Sequence, residues 1–168
     1  RWIRRRGPYG GSIANRARLM LEVVDAVSSA IGSDRVGLRI SPLNSFNSMT
    51  DSNPHAVATY LAEELNSRHL AYLHVMRADF FQQQKGDVLT PIRKIYQGTL
   101  VSNMGYDAKE ANEAITAGKV DAVAFGTSFL ANPDLPERIR QNAALNEPDP
   151  DTFYSPGPKG YTDYPALH

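Results

Sequence analysis

The stretch TLVSNMGYDAKEANEAITAGKVDAVAFGTSFLANPDL, residues 99–135, decides the fold class. It contains two short apolar runs, at 99–102 and 121–125, and each is followed by a small-residue loop and then a helical pattern. Short apolar runs without alternation are typical of parallel strands covered on both faces, and a strand followed by a helix is the repeating unit of a parallel sheet. The stretch therefore predicts two consecutive βα units.

Two more units of the same kind precede this stretch. The expected strands are VGLRI at 36–40 and AYLHVM at 71–76, and the expected helices lie at 54–68, around 88–96, at 107–117 and at 133–143. Four such units predict an α/β fold with a parallel sheet and right-handed crossovers. Asp107 with Glu110 fits a capping box, and Asn132 before Pro133 predicts the start of the last helix.

A helix is expected before the first strand. It starts at the N-cap Ser12, stops at Gly32, and places on one face Ile13, Ala17, Met20, Leu21, Val24 and Ile31. Four βα units make either a small open sheet or half of a (β/α)8 barrel. A leading helix without its own strand favours the later part of a barrel. The strands at 36–40 and 121–125 are then open edges, which a second half or a second copy would cover.

We expect residues 1–168 to form one partial domain. A basic and Gly-rich loop at 1–11 precedes the helix and the four βα units at 12–143. From 144 to 168 the chain is rich in Pro, Gly, Tyr and Asp without periodicity, which indicates an ordered tail or a lid.

Composition narrows the possible partners. Eighteen basic and eighteen acidic residues give formal neutrality, which argues against nucleic acid or an anionic membrane as a partner. Without Cys there is no disulfide or thiolate metal site, and no apolar run is long enough to span a membrane, so a cytoplasmic protein is the default. The four His residues lack metal-ligand spacing, which favours structural or solvated roles over a zinc site.

Four motifs occur in an order that is specific to one family. They are YGGSIANRARLMLEVVDAV, VGLRISPLNSFN, DAVAFGTSFLANPDL and DTFYSPGPKGYTDYP. Together they resemble the C-terminal half of the old yellow enzyme family of FMN-dependent ene-reductases. The segments ISPLNSFN, HVMRADF and NMGYD are most similar to its trypanosomatid branch, described as prostaglandin F synthases.

The resemblance implies strands five to eight of a TIM barrel with FMN at the carboxyl ends of the strands. Hydride then passes from NADPH or NADH through FMN to an activated alkene such as an enone, and the protein positions the cofactor and polarises the substrate. Arg39, in GLRISP, matches the family arginine that contacts the flavin. A cation beside reduced FMN would stabilise its negative charge. The alternative for Arg39 is a buried arginine paired with a carboxylate.

Two loops match the family's phosphate loops after strands seven and eight, where backbone N–H groups meet the anion. One is Ser102, Asn103, Met104 and Gly105, and the other starts at Gly126 and Thr127. Many members carry Gly where this chain has Met104 and Arg where it has Thr127. The loss of a charge-assisted contact at Thr127 predicts weaker FMN retention than in members with Arg.

Three aromatic residues match positions near the flavin and the substrate. The resemblance implies that Phe153 contacts the cofactor and that Phe80 and Tyr154 line the substrate pocket, whereas local packing is the alternative for each. Tyr161 and Tyr164 are expected to anchor the tail.

No catalytic residue is expected in this half. The family's pair that grips the substrate carbonyl, its Tyr proton donor and its flavin-tuning Thr lie on the first half of the barrel, so the chain is expected to be inactive alone. A non-catalytic half barrel that binds a phosphorylated ligand, or that serves as a scaffold with a partner half, is the competing hypothesis. A glycolytic type of TIM enzyme is less favoured, because the βα loops lack a catalytic Lys and Glu pair.

Overall fold

A computed structural model describes residues 7–167. The chain divides into two compact units, one ending at Val123 and the other beginning at Ala124. The basic cluster of the expected loop 1–11 falls on residues 1–6, outside the described residues, and Gly7–Tyr9 forms a 3-10 turn. No helix within 7–167 has the length and apolar character needed to cross a membrane.

The first unit alternates helices with parallel strands. In chain order its elements are α1 (Ile13–Ile31), β1 (Gly37–Ile40), α2 (Pro54–Asn66), β2 (Tyr72–Met76), α3 (Leu89–Ile95), β3 (Leu100–Asn103), α4 (Ala108–Thr116) and β4 (Ala122–Val123). The strands form one parallel sheet in the order β1-β2-β3-β4. The predicted strand order and helix alternation are confirmed, although β4 is shorter than the expected run 121–125.

One face of this sheet carries the core. Leu73, Val75, Leu100 and Ser102 alternate along β2 and β3 and have no exposed surface. Of these, Leu73, Val75 and Leu100 lie in a cluster with apolar side chains of the helices, among them Leu21, Leu61, Leu65 and Ile92. Since side chains alternate across a strand, intervening residues such as His74 and Val101 point to the opposite, open face of the sheet, and neither belongs to this cluster.

Helix α1 is apolar on two sides. Ala17, Leu21 and Val24 are buried as expected, whereas Ile31, predicted for the same face, is 52% exposed. Ile31 belongs to a second row at four-residue spacing, the exposed stripe Leu19, Val23, Val27 and Ile31. A helix with two apolar sides is expected in a ring of helices, where each helix has a neighbour as well as the sheet to cover.

The predicted caps of the first unit hold in part. The hydroxyl of Ser12 accepts from the Asn15 amide, and the carboxylate of Asp107 accepts from the Glu110 amide at 2.7 Å. The second bond of a capping box is missing, because the Glu110 carboxylate binds Arg77 instead.

In the second unit the predicted helix 133–143 is wrong in its bounds. A short helix, α5 (Thr127–Ala131), precedes the predicted range, and α6 (Leu135–Gln141) begins two residues later and ends two residues earlier than predicted. Asn132 does not start a helix; it ends α5, and its buried side chain donates to the carbonyl of Ser128. The proline in the first turn of α6 is Pro136, not Pro133.

The tail is ordered by hydrogen bonds within the second unit. Its regular element is a 3-10 turn at Pro150–Thr152. The Tyr164 hydroxyl accepts from the Asp149 amide at 2.8 Å, and the exposed Tyr161 donates to the Phe153 carbonyl at 3.4 Å, so both predicted anchors bind the tail. Gly160 lies against Thr152, where an added Cβ would come within 1.9 Å of the hydroxyl.

Candidate functional site

Three polar side chains lie next to one another on the open face of the sheet in the first unit. Arg39 of β1 is in register with His74 of β2, and the Nε2 atom of His74 lies 3.1 Å from Oδ1 of Asn103 on β3. Arg39 is exposed, and no carboxylate of residues 7–167 lies within salt-bridge distance of it. The alternative of a buried, paired arginine is therefore wrong within the described chain.

His74 connects the two predicted site residues on either side of it. Partial burial, the largest influence, and then the positive charge of Arg39 lower the pKa of His74, against the hydrogen bond to Asn103, which raises it. The imidazole is consequently neutral at neutral pH, and its Nε2–H can donate to Asn103. From the sequence, His74 is expected to have only a structural or solvated role, because its place beside Arg39 depends on strand register.

Ser102 requires a correction. Its side chain points to the helix-covered face, where it is fully buried and its hydroxyl donates to the Val75 carbonyl at 3.2 Å. The hydroxyl of Tyr106 lies 3.3 Å from it and donates to it. Residues alternate along β3, so Asn103 faces the open side and Ser102 cannot bring its hydroxyl there. Only the backbone of Ser102 remains available to a ligand.

The loop after β3 has an unusual backbone. Met104 and Gly105 both have left-handed φ angles, 89° and 69°. This conformation is disfavoured for a residue with a Cβ, so Met104 occupies a backbone position that suits glycine. Within residues 7–167 the amide N–H groups of Gly105 and Tyr106 have no hydrogen-bond acceptor. Successive free N–H groups of this kind form a concavity that suits an anion.

The carbonyls of the same loop bind Arg77. Its Nε donates to the Met104 carbonyl at 2.7 Å, and its Nη2 donates to the Gly105 carbonyl at 3.1 Å. Both terminal nitrogens also bind the Glu110 carboxylate, and the guanidinium lies 3.5 Å from the centre of the Tyr106 ring. All three nitrogens of the Arg77 guanidinium therefore have hydrogen-bond partners.

Phe80 belongs to an exposed aromatic cluster formed by the loops after β1 and β2. Phe46 and Phe81 are stacked with centroids 6.0 Å apart, and Phe80 meets Phe81 edge to face at 5.1 Å. All three rings are about half exposed, between 47% and 60%. Local packing alone does not account for so much aromatic surface at the carboxyl ends of strands, where barrel enzymes bind their ligands.

Asp79 joins the two loops that carry these aromatic rings. It is 3% exposed, and its carboxylate accepts from the amide and hydroxyl of Ser45 at 2.8 and 2.9 Å. It also accepts from three amides of its own loop, those of Phe81, Gln83 and Gln84. The sequence offered no signal for this role beyond an acidic residue beside Phe80.

The remaining predicted residues lie in the second unit. Gly126 precedes α5, and Thr127 is its exposed first residue, with no hydrogen bond to its hydroxyl within 7–167. Phe153 is half-buried after the 3-10 turn of the tail, and the side chain of Tyr154 is 96% exposed.

The first unit fits the requirements of a flavin nucleotide. Arg39 supplies a cation with no carboxylate partner among residues 7–167, and Asn103 and the neutral His74 supply neutral polar groups beside it. The free amides of Gly105 and Tyr106 suit a phosphate. Arg39 is on β1 and the anion-binding loop follows β3, two strands away in the same sheet. Parallel α/β folds bind phosphorylated ligands at the carboxyl ends of such strands.

The sequence is similar to those of known flavin-dependent proteins. Residues 3–146 match the model of the NADH:flavin oxidoreductase / NADH oxidase family. A probable flavin mononucleotide-dependent alkene reductase of Leishmania infantum is 52% identical over 159 residues, which are 95% of this chain and 43% of that protein. The 12-oxophytodienoate reductase 2 of Arabidopsis thaliana is 43% identical over 95% of the chain and 44% of its own length.

Solved structures give the same result. The old yellow enzyme from Trypanosoma cruzi superposes with a TM-score of 0.95 at 49% identity, over 98% of this chain and 44% of that one. Morphinone reductase superposes with a TM-score of 0.91 at 49% identity, over 98% and 45%. The chain thus spans less than half the length of these relatives, which confirms the predicted half-barrel fold class. It belongs to the NADH:flavin oxidoreductase family, the family of the old yellow enzymes.

Proposed function

We propose that the chain supplies flavin-binding residues to an FMN-dependent oxidoreductase that reduces the C=C bond of activated alkenes such as enones. The observation that carries the proposal concerns the part of the chain that the structure describes: there, Arg39 on the open sheet face has no carboxylate partner, and the loop two strands away has amides without acceptors. Bound FMN would accept hydride from NADPH or NADH and deliver it to the alkene. A cytoplasmic location is part of the proposal.

Each predicted cofactor-binding residue of the first unit has a role in this proposal. Arg39 stabilises negative charge on the reduced flavin ring, and Asn103, held by His74, orients the ring through a hydrogen bond. The amides of the Met104 and Gly105 loop bind the phosphate, while Ser102 contributes backbone alone. For the second unit the resemblance alone suggests that Gly126 and Thr127 contact the phosphate and Phe153 the flavin.

The proposed substrate class rests on two exposed aromatic rings and on the names of two relatives. Phe80 and Tyr154 present exposed rings, which suit a flat, conjugated and largely apolar molecule. Two relatives carry the names 12-oxophytodienoate reductase and morphinone reductase. A cyclic enone is therefore the first substrate class to test.

The chain needs a partner half to be active. Strands β1 and β4 each pair with one neighbour in the described chain, and the stripe Leu19, Val23, Val27 and Ile31 of α1 is uncovered. Covering each of these side chains contributes on the order of 1 kcal/mol. We propose an N-terminal half barrel or a second copy as the partner, and we assign the carbonyl-binding pair and the proton donor to that partner half.

A chimera tests the function. In it, this chain replaces the matched segment of the Leishmania infantum relative. We expect a yellow protein with flavin absorption bands that oxidises NADPH in the presence of a cyclic enone.

In this chimera Arg39→Met should abolish flavin retention. Arg35 is an exposed arginine near the other end of β1, and Arg35→Met should leave flavin retention unchanged. A folded, colourless chimera that takes up no FMN would contradict the proposal, and a stable colourless homodimer of the chain would favour a scaffold.

Thr127→Arg should tighten FMN binding by the chimera about tenfold. A charged guanidinium adds a charge-assisted hydrogen bond to the phosphate, worth roughly 1.5 kcal/mol or more. The measurement is the dissociation constant from flavin fluorescence quenching. Thr127→Gln, which is long and polar but neutral, serves as the control. Equal affinities of the Arg and Gln variants would show that no phosphate lies within reach of residue 127.

A further inference from the structure

Arg77 binds the carbonyls of the loop after β3, on the side of the loop opposite the amides of Gly105 and Tyr106. We propose that Arg77 is a positioning residue for the phosphate of the flavin nucleotide, because it holds the carbonyls of Met104 and Gly105 so that the following N–H groups face the anion. This inference rests on the proposed function, in which that loop is a phosphate site. Arg77 itself does not contact the ligand.

The geometry of the peptide bond connects the two sides of the loop. In a trans peptide the C=O of one residue and the N–H of the next point in opposite directions. Arg77 binds the Met104 carbonyl at 2.7 Å and the Gly105 carbonyl at 3.1 Å. The N–H groups of Gly105 and Tyr106 therefore point away from the guanidinium, and no acceptor within residues 7–167 takes them up.

The loop requires such a restraint. Met104 has a φ angle of 89°, a conformation that a residue with a Cβ adopts only when its surroundings impose it. The guanidinium supplies two of the hydrogen bonds that impose it. Without them the two peptide planes can rotate, and the concavity formed by their N–H groups is lost.

Arg77 acts through the direction of its donors rather than through its charge. Glu110 binds the guanidinium at 2.9 Å and neutralises it, and the Tyr106 ring stacks on its plane at 3.5 Å. These contacts lock the orientation of the fork. A lysine would keep the charge, but its single ammonium cannot serve two carbonyls and a carboxylate in this planar arrangement.

A comparison of FMN binding with riboflavin binding distinguishes a phosphate-positioning role of Arg77 from a purely structural role. FMN and riboflavin share the ring system, and only FMN carries a phosphate. In the chimera described above, we expect Arg77→Gln and Arg77→Lys to weaken FMN binding about tenfold or more and to change riboflavin binding less than about twofold. Fluorescence quenching by the refolded apoprotein gives both dissociation constants.

Arg93 is a matched control within the same unit. Its guanidinium also binds one carboxylate, Asp121, and two carbonyls, those of Tyr96 and Gly98, and its side chain is 22% exposed against 24% for Arg77. Those partners flank the amino end of β3, away from the loop that follows its carboxyl end. We expect Arg93→Gln to leave the ratio of the two flavin affinities at its wild-type value.

Each outcome decides the proposal. A selective loss of FMN affinity in both Arg77 variants, absent in Arg93→Gln, supports it. Equal weakening of FMN and riboflavin by Arg77→Gln, or an unchanged FMN affinity, overturns it while leaving the flavin function intact. If the wild-type chimera binds neither flavin, the proposed function fails, and this inference fails with it.

Discussion

Asp79→Asn should lower the unfolding temperature of the chain by roughly 10 °C, as followed by circular dichroism. Asp79 is 3% exposed, and its two oxygens accept five hydrogen bonds from the loops after β1 and β2. An amide keeps one of these oxygens and turns the other into a donor, which then faces backbone N–H groups. Donors that meet donors in a buried site lose both the bond and their hydration.

The same substitution should reduce the acid sensitivity of the chain. Burial is the largest influence and raises the pKa of Asp79, but the hydrogen bonds from Ser45, Gln84 and Phe81 together outweigh it and hold the pKa far below the ordinary 3.8. A depressed pKa in the folded state stabilises the protein above the unfolded pKa, and this stability is lost as the pH falls further. Wild-type stability should therefore decline below about pH 4 to 5 more steeply than that of Asp79→Asn.

Asp87→Asn is the control for this pair of measurements. Asp87 is exposed and accepts from the amides of Leu89 and Thr90, both at 3.0 Å, at the start of α3. Asn serves this capping role about as well as Asp, so the expected change is at most about 2 °C. If Asp79→Asn were no more damaging than Asp87→Asn, the carboxylate would not be what holds the two loops together.

The sequence predicts the fold well because the strongest signals are local. Apolar runs of strand length, helical periodicity and caps such as Ser12 and Asp107 depend on neighbouring residues, and the structure confirms the order of strands and helices in the first unit. The error at 133–143 has a local cause as well. Asn132 followed by Pro133 fits an N-cap, but the Asn132 side chain bonds back to Ser128 and ends the preceding helix instead.

The site is less predictable because it depends on register and on long-range contacts. Ser102 is assigned to the site from a loop motif, and that motif does not show where its side chain points. The alternation of side chains along β3 places it in the core. His74 enters the site only through its pairing with Arg39. The role proposed for Arg77 depends on the carboxylate of Glu110, thirty-three residues away. That carboxylate binds Arg77 and does not complete the capping box.

Arg138→Met should speed hydrogen exchange of the tail amides in residues 144–167 on the order of a hundredfold. Arg138 is 5% exposed on α6, and its guanidinium donates to the carbonyls of Ala144 and Pro165 at 2.6 and 2.7 Å. Its third contact is with Asp134 at 2.7 Å, and the other oxygen of Asp134 accepts from the Leu167 amide. Met fills a similar volume but removes all three of these donors. The Pro165 carbonyl keeps Asn146 and the Asp134 carboxylate keeps the Leu167 amide, whereas the Ala144 carbonyl keeps no donor among residues 7–167.

Arg140→Met separates the loss of this network from the loss of a positive charge on the same helix. Arg140 is 69% exposed and pairs with Glu137 at the surface, an arrangement that contributes little to stability. Mass-spectrometric exchange should therefore show the tail unprotected in Arg138→Met and unchanged in Arg140→Met. In the proposed function Phe153 contacts the flavin and Tyr154 the substrate, and both lie in this tail, so its loosening is expected to weaken flavin and enone binding in the chimera. Full tail protection in Arg138→Met would mean that Asn146, which also binds the Pro165 carbonyl, suffices to hold it.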